Sequence, residues 1–280
     1  MKLIRNFATL VQSQNRVLLL RNFLRRKRQQ RILTTAVKSA RKYGYRPVVI
    51  TPAGAFVDYE GVLLGMDLVR NDPAIHGLQY QNAYFETETE KFIVSALAER
   101  GGAFWDIGAN IGLFSLLAAQ RCPKLVIYSV EASPYTYKRL VGNVEANHLN
   151  DRIRPLNCAL WEREEMISIT EQATVCTHIL PSPLSEGIRI PGRTLDCLVR
   201  EFCAQTISVL KADIEGAEMC MLRGGLEVLR QHRPLLILEL EDRYLERFGD
   251  TSENVVRLLS DQGYQRSPSL VGGNHVFAPM

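Results

Sequence analysis

From residue 103 onward, short apolar runs rich in Val, Ile and Leu alternate with longer amphipathic segments, and this alternation restricts the fold more than any other feature of the chain. Strands are expected at 103–107, 125–130, 152–157, 207–212 and 235–240, with a further one over Met166–Thr170. Helices are expected at 112–121, 134–147, 217–231 and 252–262, and "TLDCLVREF" (194–202) reads as a helix packed on the sheet. Ser133 is placed to cap the second of these helices, with Pro134 at its first position, where a missing N–H costs nothing. Strands separated by helices pair in parallel and are covered on both faces, which puts ligand sites at their carboxyl ends. Tyr264–Leu270 and His275–Ala278, around Gly272-Gly273-Asn274, read as a closing hairpin that adds antiparallel strands at one edge. Upstream, a helix over 86–99 stops before Gly101-Gly102, and a β-hairpin over 47–69 turns at Thr51-Pro52-Ala53-Gly54. The chain thus divides into a basic helical extension (1–46), a hairpin and helix leading inward (47–100), and an α/β domain (101–280).

The first strand runs into "AFWDIGANIGLFSLLAAQ" (103–120), which sets one carboxylate, Asp106, and two glycines, Gly108 and Gly112, with Asn110 between them, in otherwise apolar sequence. A glycine-bearing loop between a strand and a helix lets backbone approach a ligand and aims the free N–H groups of the helix start at it. The dinucleotide fingerprint GxGxxG is absent; the spacing is Gly108-x-x-x-Gly112. A carboxylate just before the loop repels pyrophosphate and suits a ligand with a cationic end, as S-adenosylmethionine has in its ammonium and sulfonium. Glu131, 25 residues after Asp106 at the tip of the next strand, can accept both hydroxyls of a ribose. The plain alternative is a tight turn beside a solvated Glu131.

"LKADIEGAE" (210–218) closes the fourth strand. Lys211 and Asp213 share one face, and Asp213 reaches the strand tip. One reading sets Asp213 and Glu215 beside a transferring methyl group, where they orient an acceptor hydroxyl or take its proton. The other makes them helix-capping groups paired with Lys211. A divalent metal held by Asp213, Glu215 and Glu218 is a third reading, but no second acid-rich loop completes its shell. His178, in an irregular segment (171–192) readable as a lid, and Glu239 and Glu241, ending the fifth strand, are weaker candidates. His76 and His148 read as surface residues.

"DIGANIGLFSLLAA" (106–119), "VEASPYTYKRLVGNVEANHL" (130–149), "TLDCLV" (194–199) and "ISVLKADIEGAEMCMLRGG" (207–225) resemble, in order, the successive motifs of FkbM-type S-adenosylmethionine-dependent methyltransferases. The resemblance spans roughly 84–265. It implies a class I, Rossmann-like, seven-stranded methyltransferase sheet with helices on both faces, and O-methylation of a hydroxyl on a carbohydrate, glycolipid or related natural product. It implies further that Asp106, Gly108, Asn110 and Gly112 surround the methionine part of the cofactor and Glu131 its ribose. Ala132 and Ser133 would edge the adenine, with Cys158-Ala159 closing over it. Family forms often carry Asn or Pro where this chain has Ala132-Ser133.

Charge is divided unevenly. Residues 1–57 hold 13 of the 34 Lys and Arg and none of the 30 acids. Such an arm docks on the acidic body, or lies on an anionic membrane and presents the enzyme to a lipid-linked acceptor. Nucleic acid fits it less well, since few aromatics interleave the charges. Two other readings of the whole chain are a catalytically silent cofactor-binding module and a nucleic-acid-binding protein acting through the arm. Six cysteines without CxxC spacing, and no apolar run long enough for a membrane span or a signal h-region, suit a reduced, cytoplasmic setting. The acceptor is a small molecule or glycan; oligomeric state is not encoded in any legible way.

Overall fold

The computed structural model describes residues 48–51, 54–59, 62–66, 87–170, 179–180, 187–202, 205–267 and 274–280; the expectations for the basic arm and His178 lie outside these residues, and of the segment 171–192, expected to be irregular, only 179–180 and 187–192 are described, 188–192 being strand. The described residues fall into two compact units that divide between Leu63 and Leu64. In the first, β1 (Val48–Thr51) and β2 (Gly54–Tyr59) pair antiparallel, the expected hairpin. A third strand, β3 (Val62–Met66), completes a sheet of order β1-β2-β3.

The second unit opens with helix α1 (Thr87–Arg100). The alternation then proceeds as β4 (Ala103–Ile107), α2 (Leu113–Arg121), β5 (Val126–Val130), α3 (Pro134–Ala146) and β6 (Ile153–Leu156). Three strands, β7 (Ala159–Leu160), β8 (Glu165–Ile169) and β9 (Ile188–Arg193), form a separate small sheet of order β7-β9-β8, of which only β8 was expected. The main sheet resumes after α4 (Leu195–Phe202) with β10 (Ile207–Ala212). Then come α5 (Glu218–Arg223), α6 (Leu226–Gln231), β11 (Leu235–Glu239), α7 (Asp242–Leu245), α8 (Ser252–Asp261), β12 (Tyr264–Arg266) and β13 (Asn274–Pro279).

The seven-stranded sheet has the order β12-β13-β11-β10-β4-β5-β6. Neighbours pair in parallel except β13, which runs antiparallel to both β11 and β12. This is the Rossmann-like, seven-stranded sheet with helices on both faces that the resemblance implied. The chain leaves β4 outward through β5 and β6 and returns on the other side at β10, so the switch point lies between β4 and β10.

The central strands are buried along their whole length, as parallel strands between two helical layers are. One face carries Trp105, Ile107, Tyr128, Val130, Leu210, Ala212, Leu236 and Leu238 in a continuous apolar cluster with residues of α4, α5, α6 and α8. Trp105 stacks on Tyr128 at 4.7 Å between ring centroids. The alternate residues Asp106, Ser129 and Lys211 lie outside that cluster yet are buried, so the opposite face carries a polar row through its middle.

Ser133 caps α3 as expected: its Oγ accepts from Thr136 N at 3.3 Å, and Pro134 opens the helix. The single helix expected over 217–231 is corrected: it is two, α5 and α6, broken at Gly224-Gly225. The start of α4 packs there. Asp196 N donates to the Gly224 carbonyl at 3.0 Å, and the Asp196 carboxylate accepts from Glu227 N at 3.2 Å and Val228 N at 2.9 Å. A carboxylate from another helix thus caps α6, which a local reading of the sequence does not reveal. Asp196→Ala leaves two N–H groups without their acceptor, and urea unfolding is expected to register a loss of about 1–2 kcal/mol. Asp196→Asn, which keeps one oxygen, is expected to lose less.

Candidate functional site

The loop from Asp106 to Gly112 is built from its backbone outward. Gly108 N and Ala109 N both donate to the Val130 carbonyl, at 3.0 and 2.9 Å, which fastens the end of β4 to the end of β5. Asn110 and Gly112 take left-handed backbone angles (φ 51° and 92°), and Gly112 stands at the N-cap of α2. Gly108 (φ 73°) meets the second constellation directly: a Cβ there would stand 1.9 Å from the Asp213 carbonyl oxygen. Asp213 N in turn donates to the Ile107 carbonyl at 3.1 Å. The two sequence constellations are therefore one site at the switch point.

Glu131 sits at the end of β5 in a nest of amides. Its Oε2 accepts from Asn110 N and its Oε1 from Ser133 N, each at 2.9 Å. One lone pair on each oxygen remains for a further donor. Burial pushes this carboxyl up to about 7, against the pull of the two amides. Asn157, which the sequence reading passed over, donates to the Glu131 and Ala132 carbonyls at 2.8 and 3.1 Å and holds the same corner. Ala159 and Ala132 meet in a small apolar cluster with Ile214, Ala217, Trp161 and Phe248.

Asp106 lies deeper than its place beside a glycine loop suggests. It is fully buried, and its Oδ2 accepts from Ser115 Oγ at 2.5 Å, while Ser115 Oγ pairs with Ser129 Oγ at 2.7 Å. Among the described residues its Oδ1 accepts no hydrogen bond. Burial raises the Asp106 carboxyl; Lys211 and Ser115 pull it back in part. Lys211 stands opposite Asp106 in the β4–β10 register. Its Nζ is 3.1 Å from Asp213 Oδ2 and 4.8 Å from the centre of the Phe114 ring. The ion pair between Lys211 and Asp213 that the sequence offered as the structural reading is present.

Beyond Asp213 the chain turns sharply: Glu215 has φ 55° and Gly216 φ 103°. A Cβ on Gly216 would stand 2.3 Å from the Tyr244 carbonyl oxygen, so the turn depends on glycine. Glu218 braces it, with its Oε1 accepting from Ile214 N at 2.9 Å. Burial drives the Glu218 carboxyl up to about 8. Glu239 ends β11 beside Asp213, since Ala212 and Leu238 are the last register pair of β10 and β11. Burial and then the neighbouring Asp213 carboxyl raise Glu239 to about 9; burial would raise Asp213 too, but Lys211 and Glu239 outweigh it and hold Asp213 low. The only signal for Glu239 in sequence was an acid ending the apolar run "LLILEL". Among the described residues, no three His, Cys, Asp or Glu converge to hold a metal, and no helix is long and apolar enough to cross a membrane.

The raised carboxyls set a sign. Glu218 binds more protons folded than unfolded between 4.5 and about 8, so its contribution to stability is full below 4.5 and is lost as pH rises through about 8. Glu218→Gln removes that loss. Measured by urea unfolding across this window, the variant is expected to gain stability relative to the parent as pH rises.

The profile of one family, described as the methyltransferase FkbM domain, matches residues 106–266. Methyltransferase sdnD of Sordaria araneosa is 25% identical over 183 residues, which are 54% of this chain and 71% of that protein. Methyltransferase 1 of Beauveria bassiana is 23% identical over 141 residues, 42% of this chain and 56% of that protein. A crystal structure of methyltransferase FkbM from Methylobacillus flagellatus KT aligns with a TM-score of 0.45 at 16% identity, covering 63% of this chain and 43% of that one.

Proposed function

We propose that this chain, which belongs to the FkbM methyltransferase family, transfers the methyl group of S-adenosylmethionine to a hydroxyl oxygen of a carbohydrate, glycolipid or related natural product. It is a methyltransferase with that sulfonium compound as its donor; the hydroxyl acceptor is our reading. When bound, the donor supplies an electrophilic methyl carbon and a neutral thioether leaving group. The chain's own residues do the rest: they bind, orient and move a proton.

Our reading is carried by one observation: Asp213 is packed against the Gly108 backbone, so the loop suited to the donor and the acid suited to the acceptor share a wall. The residues fit the donor. Glu131 offers both carboxylate oxygens toward ribose hydroxyls, already oriented by Asn110 N and Ser133 N. The unpartnered buried Oδ1 of Asp106 gives a cationic amino-acid end a negative counterpart behind the loop of Gly108, Asn110 and Gly112. Ala132 and Ala159 give the adenine an apolar edge beside Ser133. Asp213, held anionic by Lys211, takes or orients the acceptor's proton, and Glu215 sets the far side of the same turn. Methyl transfer is an in-line displacement, so holding the acceptor oxygen on the axis of the breaking bond supplies much of the rate.

Two measurements test this. Calorimetric titration with S-adenosylmethionine and with its demethylated product is expected to give saturable binding for both. Glu131→Ala is expected to weaken both by on the order of 10- to 100-fold, the loss of one strong charge-assisted contact. No binding of either compound at millimolar concentration sinks the proposal. Against a panel of glycans and hydroxylated natural products, Asp213→Asn is expected to slow transfer about 100-fold or more while leaving donor affinity nearly unchanged. Undiminished transfer removes Asp213 from the chemistry.

A further inference from the structure

Two carboxyl groups that are hydrogen-bonded to one another must hold a proton between them, because two carboxylates have only acceptors to offer. Asp213 and Glu239 are placed for this relation: they follow the last register pair of β10 and β11, Ala212 opposite Leu238, and so stand side by side at adjacent strand ends, where two carboxyls at close range do not both ionise readily. Lys211, on β10, pairs with Asp213 Oδ2 at 3.1 Å. Glu215, on the turn after β10, and Asp106, on β4, add negative charge nearby. Asn274, on β13, is the register partner of Glu239. Lys211 is buried, whereas Asp213 and Glu239 are both partly open to solvent. The cluster therefore has a fixed cation at its closed end and a titratable acid at its open end.

We propose that Asp213 and Glu239 act as one proton-holding pair, with Glu239 as the outlet that returns the acceptor's proton to solvent. The inference rests on reading Asp213 as the group that takes that proton. The balance is simple. As the acceptor oxygen gains the methyl carbon, its O–H bond breaks, the bonding electrons stay on oxygen, and the proton goes to the Asp213 carboxylate. The pair, which began with one proton and one negative charge beside Lys211, then holds two protons and is neutral. The positive charge that disappears from the donor reappears as this second proton, so the net charge of the buried site is unchanged through the step. Because Asp213 is a weak holder of protons beside Lys211, the excess proton leaves, through Glu239, to water, and the pair returns to its starting state. Glu239 is thus a positioning residue as well: its shared proton fixes the Asp213 oxygen that faces Lys211.

The first part of the test needs no acceptor. The infrared carbonyl stretch of a protonated carboxyl is recorded on the ligand-free protein at a pH between the values for Glu218 and Glu239, about 8 and about 9. The difference spectrum, parent minus Glu239→Gln, is expected to contain one such band, shifted by carboxyl-13C glutamate and unmoved by labelled aspartate. Asp213→Asn is expected to weaken the same band, since Glu239 then loses its anionic neighbour while its burial remains. Where a variant folds poorly, the labelled parent is titrated upward in pH, and one glutamate band is expected to outlast those of Glu131 and Glu218. A band missing from the parent, or one that survives Asp213→Asn at full strength, overturns the shared pair and leaves Asp213 free to act alone. A band that behaves as expected, with Asp213→Asn still transferring at the parent rate to an acceptor from the panel, overturns the proton-acceptor reading instead and takes the outlet role with it. The two failures are thereby distinct.

Discussion

Gly108 has no room for a side chain, because the Asp213 carbonyl oxygen lies 1.9 Å from where a Cβ would stand. On that contact the rest of the site depends. It joins the first loop of the α/β alternation to the fourth, across the one gap in the sheet where neighbouring loops diverge to opposite faces. The backbone bonds on either side, Gly108 N to Val130 O and Asp213 N to Ile107 O, lock three strand ends together before any side chain is considered. A cleft with such a wall can hold a donor and an acceptor at the fixed separation that displacement at carbon requires.

Behind the wall runs the polar row of Ser129, Ser115, Asp106, Lys211, Asp213 and Glu239. An isolated charge in such a place is prohibitively unfavourable, and a buried ion pair seldom stabilises a fold beyond an apolar pair of the same size. The row is tolerable because its members are linked, hydroxyl to carboxylate and ammonium to carboxylate, with Glu239 beside Asp213 at the next strand end. Its position under the Asp106–Gly112 loop, where the sheet is otherwise apolar, is what a functional network looks like in contrast to a stabilising one. The opposite face, filled by Trp105, Tyr128 and their neighbours, carries the hydrophobic stabilisation.

Several parts of this arrangement were legible beforehand for definite reasons. β10 matched its expected span residue for residue because a parallel strand buried on both faces is a nearly unbroken apolar run, and "ISVLKA" breaks that run only at Ser208 and Lys211. The cap at Ser133 and the turn at Pro134 are local chemistry and came through unchanged. Glu239 was the reverse case. Nothing near it in the chain indicates a proton partner, since Asp213 is 26 residues earlier and the two meet only because β10 and β11 are neighbours. Asp106 was recognised as chemically significant, but its depth, and its bond to Ser115, follow from how α2 lies on the sheet.

The sequence by itself determined the parallel sheet, the strand–loop–helix unit with Asp106, Gly108, Asn110 and Gly112, the acid at the next strand tip, and the family they belong to, because periodicity, turn chemistry and ordered motifs are local properties of a chain. Only the tertiary structure decided that helix 217–231 breaks in two, since the Asp196 carboxylate that caps the second half comes from another helix. It alone decided that the two constellations share one wall, and in which direction burial and neighbouring charges shift each carboxyl of the cluster. Those outcomes depend on burial and on charges brought together from distant points of the chain, and neither is written in the order of the residues.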